Sequence, residues 1–175
     1  MIKTLKNGVE ILIREVTLED TEEVLKYMQK VNEETKNLSR EPDEFNLTFE
    51  QEYEFIKKVV KSENEMMITA WDNDKLISVC GFHGSSLQRL RHRVSMGISV
   101  IKDYHNLGLG SILMNEIVSN AKKYNKKILE LDVRIDNEAA IRIYEKVGFV
   151  KEGIKKGAFY VDGKYVDLLL MAKEL

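Results

Sequence analysis

Apolar and polar residues alternate along "VEILIREVT" (9–17), the period-two pattern of a half-buried strand, and then a helical period takes over. Thr17 opens "TLED", a capping-box-like start with Asp20 in the Glu/Gln position. Leu18, Val24, Leu25, Met28 and Val31 form the apolar stripe of the helix that follows. Residues 32–47 carry no period and contain Pro42, the single proline. "TFEQ" from Thr48 repeats the capping-box pattern and starts a second helix running to about Ser62. Three strand-like runs come next: "EMMITAW" (65–71), "KLISVCGFHG" (75–84) and "RHRVSMGISVI" (91–101), the first two joined by the turn "DNDK".

A third helix is expected from about Gly108 to Tyr124, with Leu109, Leu113, Ile117 and Ala121 at every fourth position. "KKILELDVRI" (126–135) reads as a strand, and "NEAAIRIYEKVGF" as a helix from Asn137 to Gly148. The chain closes as two strands around the turn "VDGK". This pattern predicts one mixed α/β domain (α+β in arrangement) over 1–175, and its hairpins exclude a wholly parallel sheet.

Composition narrows the function classes. Apolar residues make up 43% and charged residues 32%, ordinary for a globular protein, and the net charge of −2 gives no general attraction for nucleic acid or a membrane surface. Cys80 is the only cysteine and lies in the apolar run "LISVCGF", so a buried thiol is expected and an internal disulfide or cysteine-rich metal site is excluded. Neither a secretory signal nor an apolar stretch of the ~18 residues that span a bilayer is present, which makes a cytoplasmic location the expectation.

The chemistry starts at "YHNLGLGSILMNEIV" (104–118), where two glycines mark the entry to a helix. A helix start leaves main-chain N–H groups without partners and carries partial positive charge. With no side chains at Gly108 and Gly110, an anion can approach the backbone itself, as in a phosphate cradle. A tight strand-to-helix turn without a ligand is the alternative. The GxxxxGK[ST] pattern of a P-loop is absent. The GxGxxG dinucleotide fingerprint fits poorly, since Leu113 stands where close packing asks for Gly or Ala, although Glu130 follows at about the expected distance of ~20 residues. Nucleotide binding is kept as an alternative.

Asn137, Ile141 and Tyr144 are spaced to lie along one side of a helix. Asn137 is a natural N-cap, and Tyr144 on an apolar face is compatible with a core position. With both segments in view, the chain resembles the GCN5-related N-acetyltransferases (GNAT). Their pattern is a strand ending in Val, then [RQ]-x-x-G-x-[GA] opening a helix, and about thirty residues later N-x-x-A-x-x-x-Y-x-x-x-G-F. Here the first half reads "SVIKDYHNLGLGS" and the second "NEAAIRIYEKVGF", in which Asn137, Ala140, Tyr144, Gly148 and Phe149 match. The first position of the glycine motif is His105 instead of Arg or Gln.

The resemblance implies a mostly antiparallel sheet of about seven strands with a splayed parallel pair (91–101 and 126–135), flanked by about four helices. It implies acetyl-CoA as acetyl donor and a primary amine, on a small molecule or a protein N-terminus, as acceptor in a ternary complex. The implied cofactor contacts are the main chain of Ile98, Ser99 and Val100 along the pantetheine arm, and the 105–111 segment (His105, Asn106, Leu107, Gly108, Leu109, Gly110, Ser111) at the pyrophosphate, with Asn137 and Tyr144 beside it. His105 still offers a hydrogen-bond donor there, and histidine charge changes near neutral pH, so affinity is expected to weaken as pH rises. The resemblance gives the Val100 N–H to the thioester carbonyl and makes Tyr144 the acid toward the departing sulfur.

The strand before the glycine turn offers Ser95, Met96 and Ser99 where many relatives carry a carboxylate, so Glu130, His83 or a water chain are the candidates for the base. Acidic residues concentrated between Asn32 and Glu54 offer attraction for a cationic amine or a solvated face, and "RLRHR" aligns Arg89, Arg91 and Arg93 on one side of a strand. A non-catalytic acyl-CoA sensor with the same pocket is the alternative to an enzyme, and relatives that pair make a homodimer a further expectation.

Overall fold

The computed structural model describes residues 1–175. In chain order the elements are β1 (Ile2–Thr4), β2 (Glu10–Glu15), α1 (Thr21–Glu34), α2 (Phe49–Val60), β3 (Met66–Asp72), β4 (Lys75–Gly84), β5 (Arg93–Val100), α3 (Leu109–Lys123), β6 (Ile128–Arg134), α4 (Glu138–Val147), β7 (Val150–Val161) and β8 (Lys164–Glu174). The strands form one eight-stranded sheet in the order β1-β2-β3-β4-β5-β6-β8-β7. All neighbours are antiparallel except β5 and β6, which run parallel.

The expected mixed fold is therefore present, with one strand more than the sequence pattern gives. That strand is β1, paired to β2 through Ile2↔Leu12, Lys3↔Ile11 and Thr4↔Glu10. Its three side chains are all exposed, so it leaves no apolar alternation to read. "RLRHR" also differs from its expected form: Arg89 and Arg91 lie in the exposed turn before β5, and only Arg93 is in the strand.

The helix starts follow their capping residues. At α2 the box is complete: the Gln51 N–H donates to Thr48 Oγ1 (3.3 Å) and the Thr48 N–H donates to Gln51 Oε1 (2.9 Å). At Thr17 only the return half forms, the Asp20 carboxylate accepting from the Thr17 N–H at 2.8 Å, while Arg14 grips the same carboxylate with two bonds of 2.6 Å.

α1 packs on α2 and α3 on α4. Consecutive residues Ile68–Trp71 and Leu76–Ser78 are buried, as in strands covered on both faces. The four-residue repeat of α3 is its buried stripe: Leu109, Leu113, Ile117 and Ala121 are all at most 1% exposed. The Leu113→Ala variant is expected to lose about 2–5 kcal/mol of stability, the usual cost of truncating a buried leucine, measured by urea denaturation with an unchanged m-value.

Candidate active site

The site forms where β5 and β6 part. They pair only through Arg93↔Ile128, Val94↔Leu129 and Ser95↔Glu130. Beyond Ser95 both strands continue, each still bonded to its outer neighbour, β4 on one side and β8 on the other. The splay expected from the resemblance is thus a feature of the fold, and it leaves main-chain groups in the middle of a sheet without a strand partner.

Which groups face the gap follows from register. The Ile101 N–H donates to the Ile77 carbonyl at 3.1 Å, and the β4–β5 register continues as Ser78↔Val100 and Val79↔Ser99. Antiparallel pairs alternate between bonded and non-bonded, so Ser99, Gly97 and Ser95 direct their main chain at β4, while Val100, Ile98 and Met96 direct theirs into the gap. This corrects the expectation for Ser99. Its main chain is turned to β4, where its carbonyl accepts from Ser78 Oγ at 2.5 Å, and its hydroxyl lies 2.9 Å from the Tyr27 hydroxyl of α1. Ile98 and Val100 do present main-chain groups to the gap.

The chain then turns through Lys102–Tyr104 into α3. Asn106 and Gly108 have positive φ, 60° and 89°, on either side of Leu107, and Gly108 is the N-cap. Alternation of backbone hand turns successive N–H groups toward one concavity. The N–H groups of Asn106, Leu107, Gly108, Leu109, Gly110 and Ser111 have no acceptor in the protein; the next donor, Ile112, bonds the Gly108 carbonyl at 3.2 Å. An unpartnered row of this length at the start of a helix suits an anion.

The two glycines have different reasons. Gly108 needs its left-handed backbone. Gly110 lies inside α3 with ordinary φ, and a methyl group there would stand 3.3 Å from Ile143 Cδ1, so it serves the approach of α3 to α4. That same contact brings α4, and with it Tyr144, to the glycine-turn end of the sheet.

His105 is not turned toward this row of donors. Its Nε2 lies 2.8 Å from the Val100 carbonyl, which can only accept, so the ring donates to a gap-facing group of β5. The pyrophosphate contact expected of His105, and the pH dependence drawn from it, are not what this geometry offers. The ring closes the loop from β5 to α3 instead.

The second motif is mostly helix punctuation. Asn137 Oδ1 accepts from the Ala140 N–H at 3.3 Å and caps α4. Gly148 ends the helix at φ 96°, and the Phe149 N–H bonds the Tyr144 carbonyl at 3.0 Å. Phe149 is buried with its ring 5.9 Å from that of Tyr144. Only the Tyr144 hydroxyl has no such task. Its ring is buried, burial pushes the phenol up to about 12, and the oxygen neither bonds to the protein nor is sealed from solvent.

The candidate bases separate clearly. Glu130 sits in the paired part of β6, where its carboxylate accepts from Arg93 Nε at 2.8 Å and also from the terminal guanidinium nitrogen. This ion pair occupies Glu130 away from the open part of the gap. His83 is exposed and in register with Ser95, on the α1 face of the sheet with Gly97 and Ser99. The acidic run between 32 and 54 is not one patch: Glu34 accepts from the Lys102 N–H at 2.6 Å, Glu44 bonds the Glu41 N–H at 2.9 Å, and Glu52 is buried on α2, where burial raises its carboxyl against the pull of Arg40. Sequence reading missed Tyr27, whose hydroxyl reaches Ser99 from α1, although its spacing of three from Val24 and four from Val31 places it on the same stripe.

Residues 28–149, well over half of the chain, match the model of the "Acetyltransferase (GNAT) family". An N-alpha-acetyltransferase of Saccharolobus solfataricus is 38% identical over 91 residues, a stretch that spans 51% of this chain and 52% of that protein, about half of each. An N-alpha-acetyltransferase of Sulfurisphaera tokodaii is 28% identical over 97% of this chain and 96% of its own. The crystal structure of a GNAT-family acetyltransferase from Streptococcus pneumoniae superposes with a TM-score of 0.91 at 32% identity, covering 94% of this chain and 99% of that one. A parallel strand pair opening beside an unpartnered N–H turn, the two motifs that frame it and these likenesses all converge: the chain belongs to the GNAT family of acetyltransferases.

Proposed function

We propose that the protein transfers an acetyl group from acetyl-CoA to a primary amine, the α-amino group of a protein N-terminus or of a small molecule, by direct attack in a ternary complex. The observation that carries this reading is the row of acceptor-free N–H groups from Asn106 to Ser111 at the mouth of the β5–β6 gap. The row suits a diphosphate, and the gap-facing main chain of Ile98 and Val100 suits the amides of a pantetheine arm as a neighbouring strand would. The relatives named N-alpha-acetyltransferase support an α-amino acceptor.

When bound, acetyl-CoA supplies the thioester that the amine attacks. The residues of the chain then divide the work. The Val100 N–H points into the gap and is the donor for the carbonyl oxygen as charge develops on it. The Tyr144 phenol, protonated at neutral pH as any phenol is and kept so by burial, donates a hydrogen bond to the sulfur as it leaves. Glu130 is held by Arg93, so the proton of the amine leaves through water on the α1 face, where His83 is exposed.

The dinucleotide alternative loses ground, because Leu113 is fully buried and the turn follows a strand of a mostly antiparallel sheet. The test is thiol release from acetyl-CoA across a panel of amines that includes free amino acids, N-terminal peptides and polyamines. Release that depends on an α-amine supports the proposal. Tight coenzyme A binding with no release for any amine points to the sensor instead.

A further inference from the structure

Resting on the acetyl-CoA reading, we infer that Lys6 supplies the cation that holds the diphosphate of coenzyme A, in place of the Arg or Gln that His105 replaces. Lys6 lies in the turn between β1 and β2, about a hundred residues from the glycine motif in sequence, yet its N–H donates to the Leu107 carbonyl at 3.1 Å. Its aliphatic stem crosses Gly108: the atoms nearest to a methyl group on that glycine would be those of Lys6, at 3.6 Å from Cε, 3.7 Å from Cγ and 3.9 Å from Cδ. The ammonium, one bond beyond Cε, is therefore tethered at the lip of the N–H row. It is exposed and makes no ion pair, whereas Lys75, the first residue of β4, faces Asp103 at 3.5 Å.

A free cation beside unpartnered donors is the arrangement that a polyanion completes. His105 is committed to the Val100 carbonyl, so the first position of the motif supplies no charge to the turn. The glycine motif provides the N–H groups, and a residue from the far end of the chain provides the charge. A lysine reaching over the turn also shields Gly108 from solvent with its methylenes while leaving the charge outside.

The experiment is a calorimetric titration of wild type, Lys6→Met and Lys6→Arg with coenzyme A, 3′-dephospho-coenzyme A and pantetheine. Methionine keeps the stem and removes the charge. Its affinity for both nucleotide-bearing ligands is expected to fall about 10-fold at low salt, with a smaller gap at high salt, and its affinity for pantetheine to stay at wild type, while arginine keeps most of the binding. Equal affinity of wild type and Lys6→Met for coenzyme A overturns the inference. A loss that also appears with pantetheine, or one that vanishes with 3′-dephospho-coenzyme A, overturns the assignment to the diphosphate. Wild-type protein that binds no coenzyme A removes the acetyl-CoA reading itself, and the Lys6 contact with it.

Discussion

Tyr144→Phe slows acetyl transfer about 10²-fold or more, the range of a lost general acid, while the protein stays folded and binds coenzyme A nearly as before. The fold gives two reasons. The ring is a packing element, buried beside Phe149, and phenylalanine fills that space equally well. The hydroxyl has no hydrogen bond in the protein, so its removal leaves no buried group stranded and the melting temperature is expected to shift little. The effect should fall on kcat with KM for acetyl-CoA near wild type, because the hydroxyl acts when charge forms on sulfur and not on binding. Burial holds the phenol at about 12, above its ordinary value of ~10, so the acid form persists across the working range and Tyr144 should impose no fall in kcat up to about pH 10. Turnover equal to wild type in the phenylalanine variant removes Tyr144 from the mechanism.

Gly108→Val is expected to weaken coenzyme A about 10²-fold or more and to leave pantetheine almost unaffected. Space for the Cβ is not the obstacle, since its nearest neighbours are the atoms of the movable Lys6 stem at ordinary contact distance. The backbone is. Gly108 sits at φ 89°, where a β-branched residue is a genuine outlier. The turn must relax toward negative φ, and the N–H groups then no longer converge. Losing two charge-assisted bonds to a phosphate costs about 3–6 kcal/mol, which more than covers the expected change. Gly110→Ala probes the other glycine and separates the two roles. A methyl there presses on Ile143 Cδ1 at 3.3 Å and alters the fit of α3 on α4 without moving the donors, so its cost belongs in stability and not in affinity. Calorimetric titration and thermal melting of the two variants make the comparison.

Much of this site was legible in the sequence because it rests on local signals. The four-residue period of α3, the glycine before it and the Asn137 to Phe149 motif each report a helix start, a helix end or a buried face, which neighbouring residues determine. What escaped depends on contacts between distant segments. β1 adds a strand whose three side chains are exposed and which therefore leaves no pattern. The register that turns Ser99 toward β4 and leaves Ile98 and Val100 facing the gap is fixed by pairing with Val79 and its neighbours, which no periodicity in β5 encodes. His105 carries the motif position, but its ring direction is set by the Val100 carbonyl. Lys6 reaches Gly108 only because the β1–β2 turn docks on Leu107. The ion pair that occupies Glu130 likewise depends on β5 and β6 lying side by side before they part.

Amide-resolved hydrogen exchange with and without coenzyme A tests the central claim most directly. In the free protein the amides of residues 106–111 lack acceptors and should exchange fast, and coenzyme A should slow them together with those of Ile98 and Val100. Protection confined to other parts of the molecule, with the 106–111 amides still exchanging at their free rate under saturating coenzyme A, would contradict the account.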